Sequence, residues 1–268
     1  EKIVLRILDQ QSHQLGFAAL GLPDTELAHV MQAIAKPNGM VLITGPTGSG
    51  KTVTLYTCLN HLNTPGVNIA TVEDPSEIVL PGANQVNVNE RIGLSFDTAL
   101  RALLRQDPDI LMVGEIRDQT TADIAVKASQ TGHLVLSTLH TNDAPSTLTR
   151  LNHMGIAGFN LASSVILICA QRLLRRLCAA CKQALPDGSG WRAVGCAACL
   201  NGYKGRVAIH QVMPVTPGIQ QLILQQASAQ ALAEQAAADG VRTLRQAGLL
   251  KVCSGETTLE EVQAATHG

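Results

Sequence analysis

Short apolar runs alternate with amphipathic segments along the first half of the chain. Four such runs have the length of strands buried on both faces, and they cover residues 40–44, 68–72, 110–113 and 134–138. Before and between them, apolar residues recur with helical spacing over residues 24–35, 51–62, 95–104 and 121–131. Because short strands alternate with helices, the pattern predicts an α/β fold with a mostly parallel sheet covered on both faces.

The pattern changes beyond residue 142. Helical periodicity predicts helices over residues 148–154 and 159–177, and a segment rich in glycine and cysteine follows at residues 178–199. A short strand is predicted over residues 205–212, and the alanine-, glutamine- and leucine-rich tail after residue 217 is predicted to be mostly helical. At the other end of the chain, residues 1–10 predict the remnant of a further strand, and residues 16–22 predict a loop.

The composition limits the class of protein. A chain of 268 residues suffices for one large domain or two small ones, and 46% hydrophobic residues with only 2% aromatic ones imply an aliphatic core. A formal net charge of −1 gives no general attraction to nucleic acid or anionic membranes. No apolar run approaches the roughly 18–20 residues of a membrane span and no signal peptide is recognisable, so we expect a soluble cytoplasmic protein. The first residue is not methionine, which is consistent with a fragment.

A complete phosphate-binding motif joins the strand predicted at residues 40–44 to the helix that follows it. The pattern G-x-x-x-x-G-K-[ST] is formed by Gly45, Pro46, Thr47, Gly48, Ser49, Gly50, Lys51 and Thr52. Glycines allow backbone N–H groups to point at phosphate oxygens, and the start of the helix adds its positive end. The Lys51 ammonium can reach the β- and γ-phosphates, and the Thr52 hydroxyl can bind Mg²⁺. The motif predicts nucleotide binding and leaves hydrolysis open.

Polar residues follow the other three strands predicted in this half of the chain. Glu73 directly follows the strand at 68–72, Glu115 follows the strand at 110–113, and His140 follows the strand at 134–138. Ligands of open parallel sheets bind beyond the carboxyl ends of the strands. At that position Glu73 can polarise an attacking water, Glu115 can hold the water shell of Mg²⁺, and His140 can contact the γ-phosphate. Glu115 stands where an aspartate is more usual.

These boxes resemble those of the type II/type IV secretion ATPase superfamily. The similarity covers the phosphate-binding (Walker A) motif, an Asp box at residues 71–75, a Walker B box at 114–118 and a His box at 137–142, and it extends over essentially the whole chain. The chain looks most similar to the C-terminal ATPase portion of type IV pilus assembly, or extension, ATPases that carry a tetracysteine zinc motif. The resemblance implies a RecA-like P-loop NTPase core and Mg²⁺-dependent hydrolysis of ATP by a cytoplasmic homo-hexameric motor.

The resemblance also implies domains and partners. Residues 1–20 would end an N-terminal PAS-like domain and its linker, and residues 21–268 would form the ATPase domain, with a zinc-binding insert at 178–199 and C-terminal helices at 217–268. The motor would act at the inner face of the bacterial inner membrane on a platform protein of a pilus or type II secretion machine, with no nucleic acid expected.

Roles for individual residues follow from the same resemblance. Glu73 matches the Asp-box glutamate that orients the attacking water, Glu115 matches an atypical Walker B glutamate, and His140 matches the His-box histidine. Arg6 resembles an arginine of the N-terminal domain that reaches toward the γ-phosphate of the nucleotide.

Four of the seven cysteines are spaced as metal ligands. They form two C-x₂-C pairs with fourteen residues between them: Cys178, Cys181, Cys196 and Cys199. Each pair can hold one side of a tetrahedral ion, and four thiolates favour Zn²⁺ in a closed, structural site. Two disulfides are the alternative, which a reducing cytosol disfavours. We expect the ion to clip the connection between a helix ending near Leu177 and a strand starting near Gly205.

Two groups of arginines allow two interpretations each. Arg172, Arg175 and Arg176 cluster with Lys182 near the start of the cysteine-rich insert, and they form either a solvated helix face or a patch for a partner. Arg101 and Arg105 lie four residues apart on a predicted helix face, where they either form surface ion pairs or face the nucleotide of a neighbouring subunit.

Three other functions compete with the motor. A DNA-translocating ATPase needs a basic channel, and the nearly neutral charge argues against it. A ring scaffold that binds ATP without turning it over is disfavoured by the intact Lys51, Glu73 and Glu115. A zinc-delivery protein needs a labile metal, whereas four thiolates predict tight binding.

Overall fold

A sheet of seven strands forms the centre of the molecule. The computed structural model describes residues 16–186, 188 and 190–266. Within them the strands are β1 (Gly39–Thr44), β2 (Ile69–Glu73), β3 (Asn84–Asn87), β4 (Ile110–Val113), β5 (Leu134–Leu139), β6 (Val165–Leu177), β7 (Gln183–Ala184), β8 (Trp191–Arg192) and β9 (Tyr203–Pro214). The main sheet has the order β3-β2-β4-β5-β1-β6-β9. Only β9 runs antiparallel to its neighbour in this sheet, so the predicted mostly parallel α/β fold is confirmed.

Helices connect the strands and form the end of the described chain. They are α1 (Phe17–Leu20), α2 (Asp24–Ile34), α3 (Lys51–Leu62), α4 (Phe96–Leu103), α5 (Gln119–Gln130), α6 (Ala144–His153), α7 (Gly158–Ser164), α8 (Pro217–Leu224), α9 (Ala229–Ala238), α10 (Leu244–Cys253) and α11 (Leu259–Thr266). Short 3₁₀ turns occupy Glu90–Ile92 and Leu104–Gln106. The tail is helical as expected, and the helix predicted at 148–154 is the second half of α6.

The prediction of a helix over residues 159–177 is wrong for most of its length. Only α7 is helical there, and the thirteen residues of β6 pair parallel with β1 and antiparallel with β9. Branched side chains at Val165, Ile166 and Ile168 favour a strand, and two neighbouring strands can satisfy the backbone hydrogen bonds on both edges of β6. Leucine, alanine, glutamine and arginine fill the remaining positions, and their helical propensity conceals the strand in the sequence.

The two faces of the sheet build two apolar cores. In β1, Met40 and Leu42 belong to the core that contains α5, while Val41 and Ile43 belong to the core that contains α3. Successive side chains of a strand point to opposite faces, so this division shows that helices cover both faces of the sheet. The parallel strands β1, β2, β4 and β5 are buried along their whole length, as their continuous apolar runs predict.

Two expectations concern the ends and the environment of the chain. The strand predicted at residues 1–10, and with it Arg6, lies outside the described residues. In the part of the chain that the structure describes, no helix combines the length and the apolar character needed to cross a membrane.

Candidate nucleotide and zinc sites

The phosphate-binding motif forms a tight loop between β1 and α3. Gly45 and Gly50 have φ values of 151° and 87°, which side-chain-bearing residues rarely adopt. A Cβ at Gly45 would lie 2.5 Å from the Gln171 carbonyl oxygen, and one at Gly50 would lie 2.8 Å from Gln171 Nε2. Both glycines are therefore required by the backbone conformation and by the close approach of β6 beneath the loop.

Lys51 begins α3 and turns back over the loop. Its Nζ donates hydrogen bonds to the Gly45 carbonyl at 2.8 Å and the Pro46 carbonyl at 3.1 Å. Burial lowers the pKa of Lys51, and the nearby Glu115 carboxylate opposes this effect. The ammonium is thus a nearly buried cation at the centre of the loop, which is where a phosphate group is recognised in motifs of this kind.

The polar residues predicted from the strand ends converge on this loop. Glu73, Glu115 and His140 line one cleft together with Lys51 and Thr52, and the remaining loop residues on its wall are Thr47, Gly48, Ser49 and Gly50. The convergence follows from strand order, because β2, β4, β5 and β1 are consecutive neighbours in the sheet and end at the same edge. The first two motif residues, Gly45 and Pro46, do not line the cleft, and their carbonyl groups accept hydrogen bonds from Lys51.

Glu73 is the last residue of β2 and is buried, with 4% of its surface exposed. The Tyr56 hydroxyl donates to both carboxylate oxygens at 2.8 Å, and the Thr71 hydroxyl donates to Oε1 at 2.7 Å. A third donor, Gln85 Nε2, lies 3.4 Å from Oε1. Hydrogen bonds from several donors stabilise a charged carboxylate in a buried position.

Glu115 and His140 form a second polar group beside Lys51. The Glu115 carboxylate forms an ion pair with Arg117, and its Oε2 lies 3.7 Å from His140 Nε2. Burial lowers the pKa of His140, and the positive charge of Lys51 lowers it further. The Glu115 carboxylate opposes this lowering of the pKa, and the net shift favours the neutral imidazole, in which one ring nitrogen donates a hydrogen bond and the other accepts one.

The sequence did not indicate the part that β6 plays in this site. Gln171 is 2% exposed; its Nε2 donates to the Ser49 carbonyl at 2.9 Å, and its Oε1 accepts from the Thr54 hydroxyl at 2.7 Å. The buried Arg172 donates to the Asn142 carbonyl at 2.7 Å, behind the His box. Leu173 of β6 and Arg206 of β9 also line the cleft. These residues become recognisable only when residues 165–177 are known to be a strand beside β1.

The arginines before the cysteine-rich insert form neither a helix face nor one exposed patch, because all three lie on β6. Arg172 is buried, and burial lowers its pKa. Arg175 pairs with Glu261 of α11 at 2.6 Å, and Arg176 pairs with Glu256 at 3.4 Å, in the turn between α10 and α11. Both arginines thus join β6 to the C-terminal part of the chain.

Arg101 and Arg105 are not on one regular helix. Arg101 is exposed on α4, whereas Arg105 is exposed in the 3₁₀ turn Leu104–Gln106 that follows it. Their spacing therefore does not place them on one α-helical face, and the assignment to a neighbouring subunit's nucleotide stays a prediction.

The four spaced cysteines meet at one point. The sulfur atoms of Cys178, Cys181, Cys196 and Cys199 all lie within 4.8 Å of one another, with contacts of 3.6, 3.7 and 3.9 Å between three of the pairs. Zn–S bonds of about 2.3 Å at tetrahedral angles place sulfurs about 3.8 Å apart, so the cluster fits a zinc ion with no position left for substrate. The cluster connects two strands, β6 and β9, and not a helix and a strand as predicted.

The chain is similar in sequence to proteins of one family. The family model for the type II/IV secretion system protein matches residues 1–264. The type IV pilus assembly ATPase PilB of Acinetobacter baylyi is 54% identical over 285 residues, which cover 99% of this chain and 49% of that protein. The type II secretion system protein HxcR of Pseudomonas aeruginosa is 52% identical over 268 residues, covering 100% of this chain and 57% of that protein. The chain thus spans about half the length of the curated relatives it matches.

A solved structure shares the fold. The crystal structure of the pilus retraction motor PilT with bound ADP superposes with a TM-score of 0.76 at 31% identity, covering 95% of this chain and 67% of that chain. This likeness confirms the RecA-like fold class expected from the motifs.

Proposed function

Because the chain belongs to the type II/IV secretion system protein family, we propose that it hydrolyses ATP and couples hydrolysis to mechanical work in pilus assembly or type II secretion. The observation that carries this proposal is the convergence of a complete phosphate-binding loop with Glu73, Glu115 and His140 in one cleft. Relatives named as a pilus assembly ATPase and a secretion system protein support the same assignment.

Phosphate binding is the first step assigned to this chain's own residues. The loop N–H groups and Lys51 bind the β- and γ-phosphates, and Lys51 Nζ exchanges its hydrogen bonds to the two loop carbonyls for phosphate oxygens. The Thr52 hydroxyl and the Glu115 carboxylate offer the hard oxygen ligands that suit Mg²⁺, directly or through water. When bound, Mg²⁺ neutralises negative charge on the phosphates.

Hydrolysis then depends on positioning. Glu73 accepts a hydrogen bond from a water molecule, whose oxygen attacks the γ-phosphorus as the bond to the β–γ bridging oxygen breaks and ADP leaves. The water's protons pass to Glu73 and the released phosphate. Neutral His140 donates to a γ-phosphate oxygen and thereby stabilises the charge of the transition state.

The assembly around this site belongs to the same proposal. We assign the chain to a homo-hexamer at the inner face of the bacterial inner membrane, acting on an inner-membrane platform protein, with Arg6 reaching the nucleotide from an N-terminal domain that ends near residue 20. The four cysteines would hold a zinc ion, and the bound ion would fix the connection between β6 and β9. The resemblance of the motifs and the sequence similarity to PilB and HxcR support these assignments.

The test is steady-state ATP hydrolysis with Mg²⁺ by the full chain, with light scattering on the same samples. Glu73→Gln should lower kcat at least about a hundredfold while ATP binding survives, because a positioned base contributes about that much. Lys51→Ala should abolish ATP binding. The matched control Glu260→Gln changes an exposed carboxylate of α11 and should leave both values unchanged. A well-formed ring without turnover would instead establish the scaffold function.

A further inference from the structure

The Glu73 carboxylate is held by donors from three different elements. Tyr56 comes from α3, Thr71 from β2 and Gln85 from β3. Gln85 also supports Tyr56 itself, because its Nε2 lies 2.8 Å from the Tyr56 hydroxyl oxygen. Two backbone groups of the loop before β3 fix the Gln85 amide: the Ile78 carbonyl accepts from Nε2 at 2.8 Å, and the Leu80 N–H donates to Oε1 at 2.7 Å.

The two carboxylate oxygens of Glu73 have different numbers of hydrogen-bond donors nearby. A carboxylate offers about four lone-pair positions, two on each oxygen. Among the residues that the structure describes, Thr71, Tyr56 and Gln85 lie within hydrogen-bond distance of Oε1, whereas the Tyr56 hydroxyl is the one donor within that distance of Oε2. Oε2 therefore keeps a free lone pair, and Glu73 lies on the wall of the nucleotide cleft.

Helix α3 links this network to the phosphate-binding loop. Tyr56 follows Thr52 by four residues, so the two side chains lie on one face of α3, separated by a rise of about 6 Å. The same helix thus carries the proposed Mg²⁺ ligand and the hydroxyl that holds Glu73. Any displacement of α3 during nucleotide binding therefore also moves the donor that orients the carboxylate.

We propose that Tyr56, which bridges both oxygens of Glu73, and Gln85, which donates to the Tyr56 hydroxyl, are positioning residues. They hold the carboxylate so that the remaining lone pair of Oε2 accepts from the attacking water, in register with Lys51 and Thr52. The inference rests on the proposed function, since it assigns supporting residues to the same reaction. Burial raises the pKa of Tyr56, and the Glu73 carboxylate raises it further, so the phenol keeps its proton and remains a donor near neutral pH.

The experiment compares kcat and KM of the full wild-type chain with those of Tyr56→Phe and Gln85→Met. Tyr56→Phe keeps the buried ring and removes only the hydroxyl, and we expect kcat to fall about tenfold, the size of one lost hydrogen bond to a charged group, with KM changed less than about twofold. Tyr203→Phe is the matched control, because Tyr203 is the other tyrosine of the chain. It lies on β9, and its hydroxyl oxygen is 3.1 Å from the Thr258 hydroxyl oxygen. Its kcat should stay within about twofold of the wild type.

A second measurement reports the hydrogen bond without catalysis. With tyrosine labelled by ¹³C at Cζ, the two tyrosines give two resonances, and Glu73→Gln should shift the Tyr56 resonance and leave that of Tyr203 in place. The inference is overturned if the Tyr56 resonance does not change, or if Tyr56→Phe keeps the kcat of the wild type. In either case the proposed function still stands, provided that the wild type hydrolyses ATP. A loss confined to KM overturns the inference as well. Absence of turnover in the wild type overturns the proposed function, and this inference with it.

Discussion

Gln171 offers the sharpest test of how the phosphate-binding loop is supported. The substitution Gln171→Leu keeps the approximate size of the side chain and removes its amide. In the structure this amide is buried, donates to the Ser49 carbonyl at 2.9 Å and accepts from the Thr54 hydroxyl at 2.7 Å. Leucine can neither donate nor accept a hydrogen bond. The Ser49 carbonyl and the Thr54 hydroxyl therefore both lose a partner at a buried position, where water does not readily replace it.

The two losses differ in size. The Thr54 hydroxyl already lies 3.4 Å from the Gly50 carbonyl and can donate there instead, so its loss is small. The Ser49 carbonyl loses the donor that Gln171 supplied, and leaving a buried acceptor unsatisfied costs about 1–3 kcal/mol. We therefore expect Gln171→Leu to lower the free energy of unfolding by about 2 kcal/mol. ATP binding should weaken up to about tenfold, because the loop is no longer held in its binding conformation.

Urea unfolding with and without ATP measures both effects. Gln130→Leu is the matched control, since Gln130 also donates two side-chain hydrogen bonds, to Asn160 and Ser163, but is exposed on α5. Its effect on the free energy of unfolding should stay within about 0.5 kcal/mol. Equal stability losses in the two variants would refute the reasoning, because burial would then make no difference to the value of the amide.

Two further predictions concern the zinc cluster and a buried histidine. Chelation of the metal, or Cys199→Ser, should change the fluorescence emission of Trp191, the only tryptophan of the chain. Trp191 lies within the insert, and Lys182 Nζ is 4.6 Å from its ring centroid. Constant emission after measured zinc loss would contradict this. Burial, aided by Lys251, lowers the pKa of His210 from 6.5 to about 4, so the unfolded chain takes up a proton first as the pH falls through this range. The wild type should therefore lose about 3 kcal/mol of unfolding free energy between these pH values relative to His210→Gln, and parallel pH profiles of the two proteins would disprove it.

The residues proposed to contact the nucleotide could be predicted from the sequence, because they belong to a contiguous motif or lie at the ends of strands. A phosphate-binding motif is contiguous, and its spacing identifies it without knowledge of the fold. Glu73, Glu115 and His140 are far apart in sequence, yet each lies at the carboxyl end of a parallel strand or just beyond it. The carboxyl ends of such strands meet at one edge, so their convergence could be predicted before any coordinates.

The supporting residues could not be predicted in the same way. Gln171 and Arg172 act through β6, whose mixture of branched and helix-favouring residues does not distinguish a strand from a helix locally. Its conformation is decided by the open edges of β1 and β9, which are distant in sequence. Gln85 lies on β3, a strand of four partly exposed residues that leaves no apolar pattern to detect.

The extended conformation of β6 also determines how far the cysteine cluster lies from the phosphate-binding loop. Cys178 of the cysteine cluster follows Gln171, which donates to the phosphate-binding loop, by seven positions. As a helix this stretch would span about 10 Å, whereas as a strand it spans about 23 Å. The larger distance separates the cysteine cluster from Gln171, and four thiolates leave no open coordination position, so the cluster fits a structural role. An effect of zinc loss on ATP hydrolysis would therefore be transmitted along β6 or β9, since residues of both strands line the cleft, and the hydrogen bond between Gln171 and Ser49 reports the route through β6.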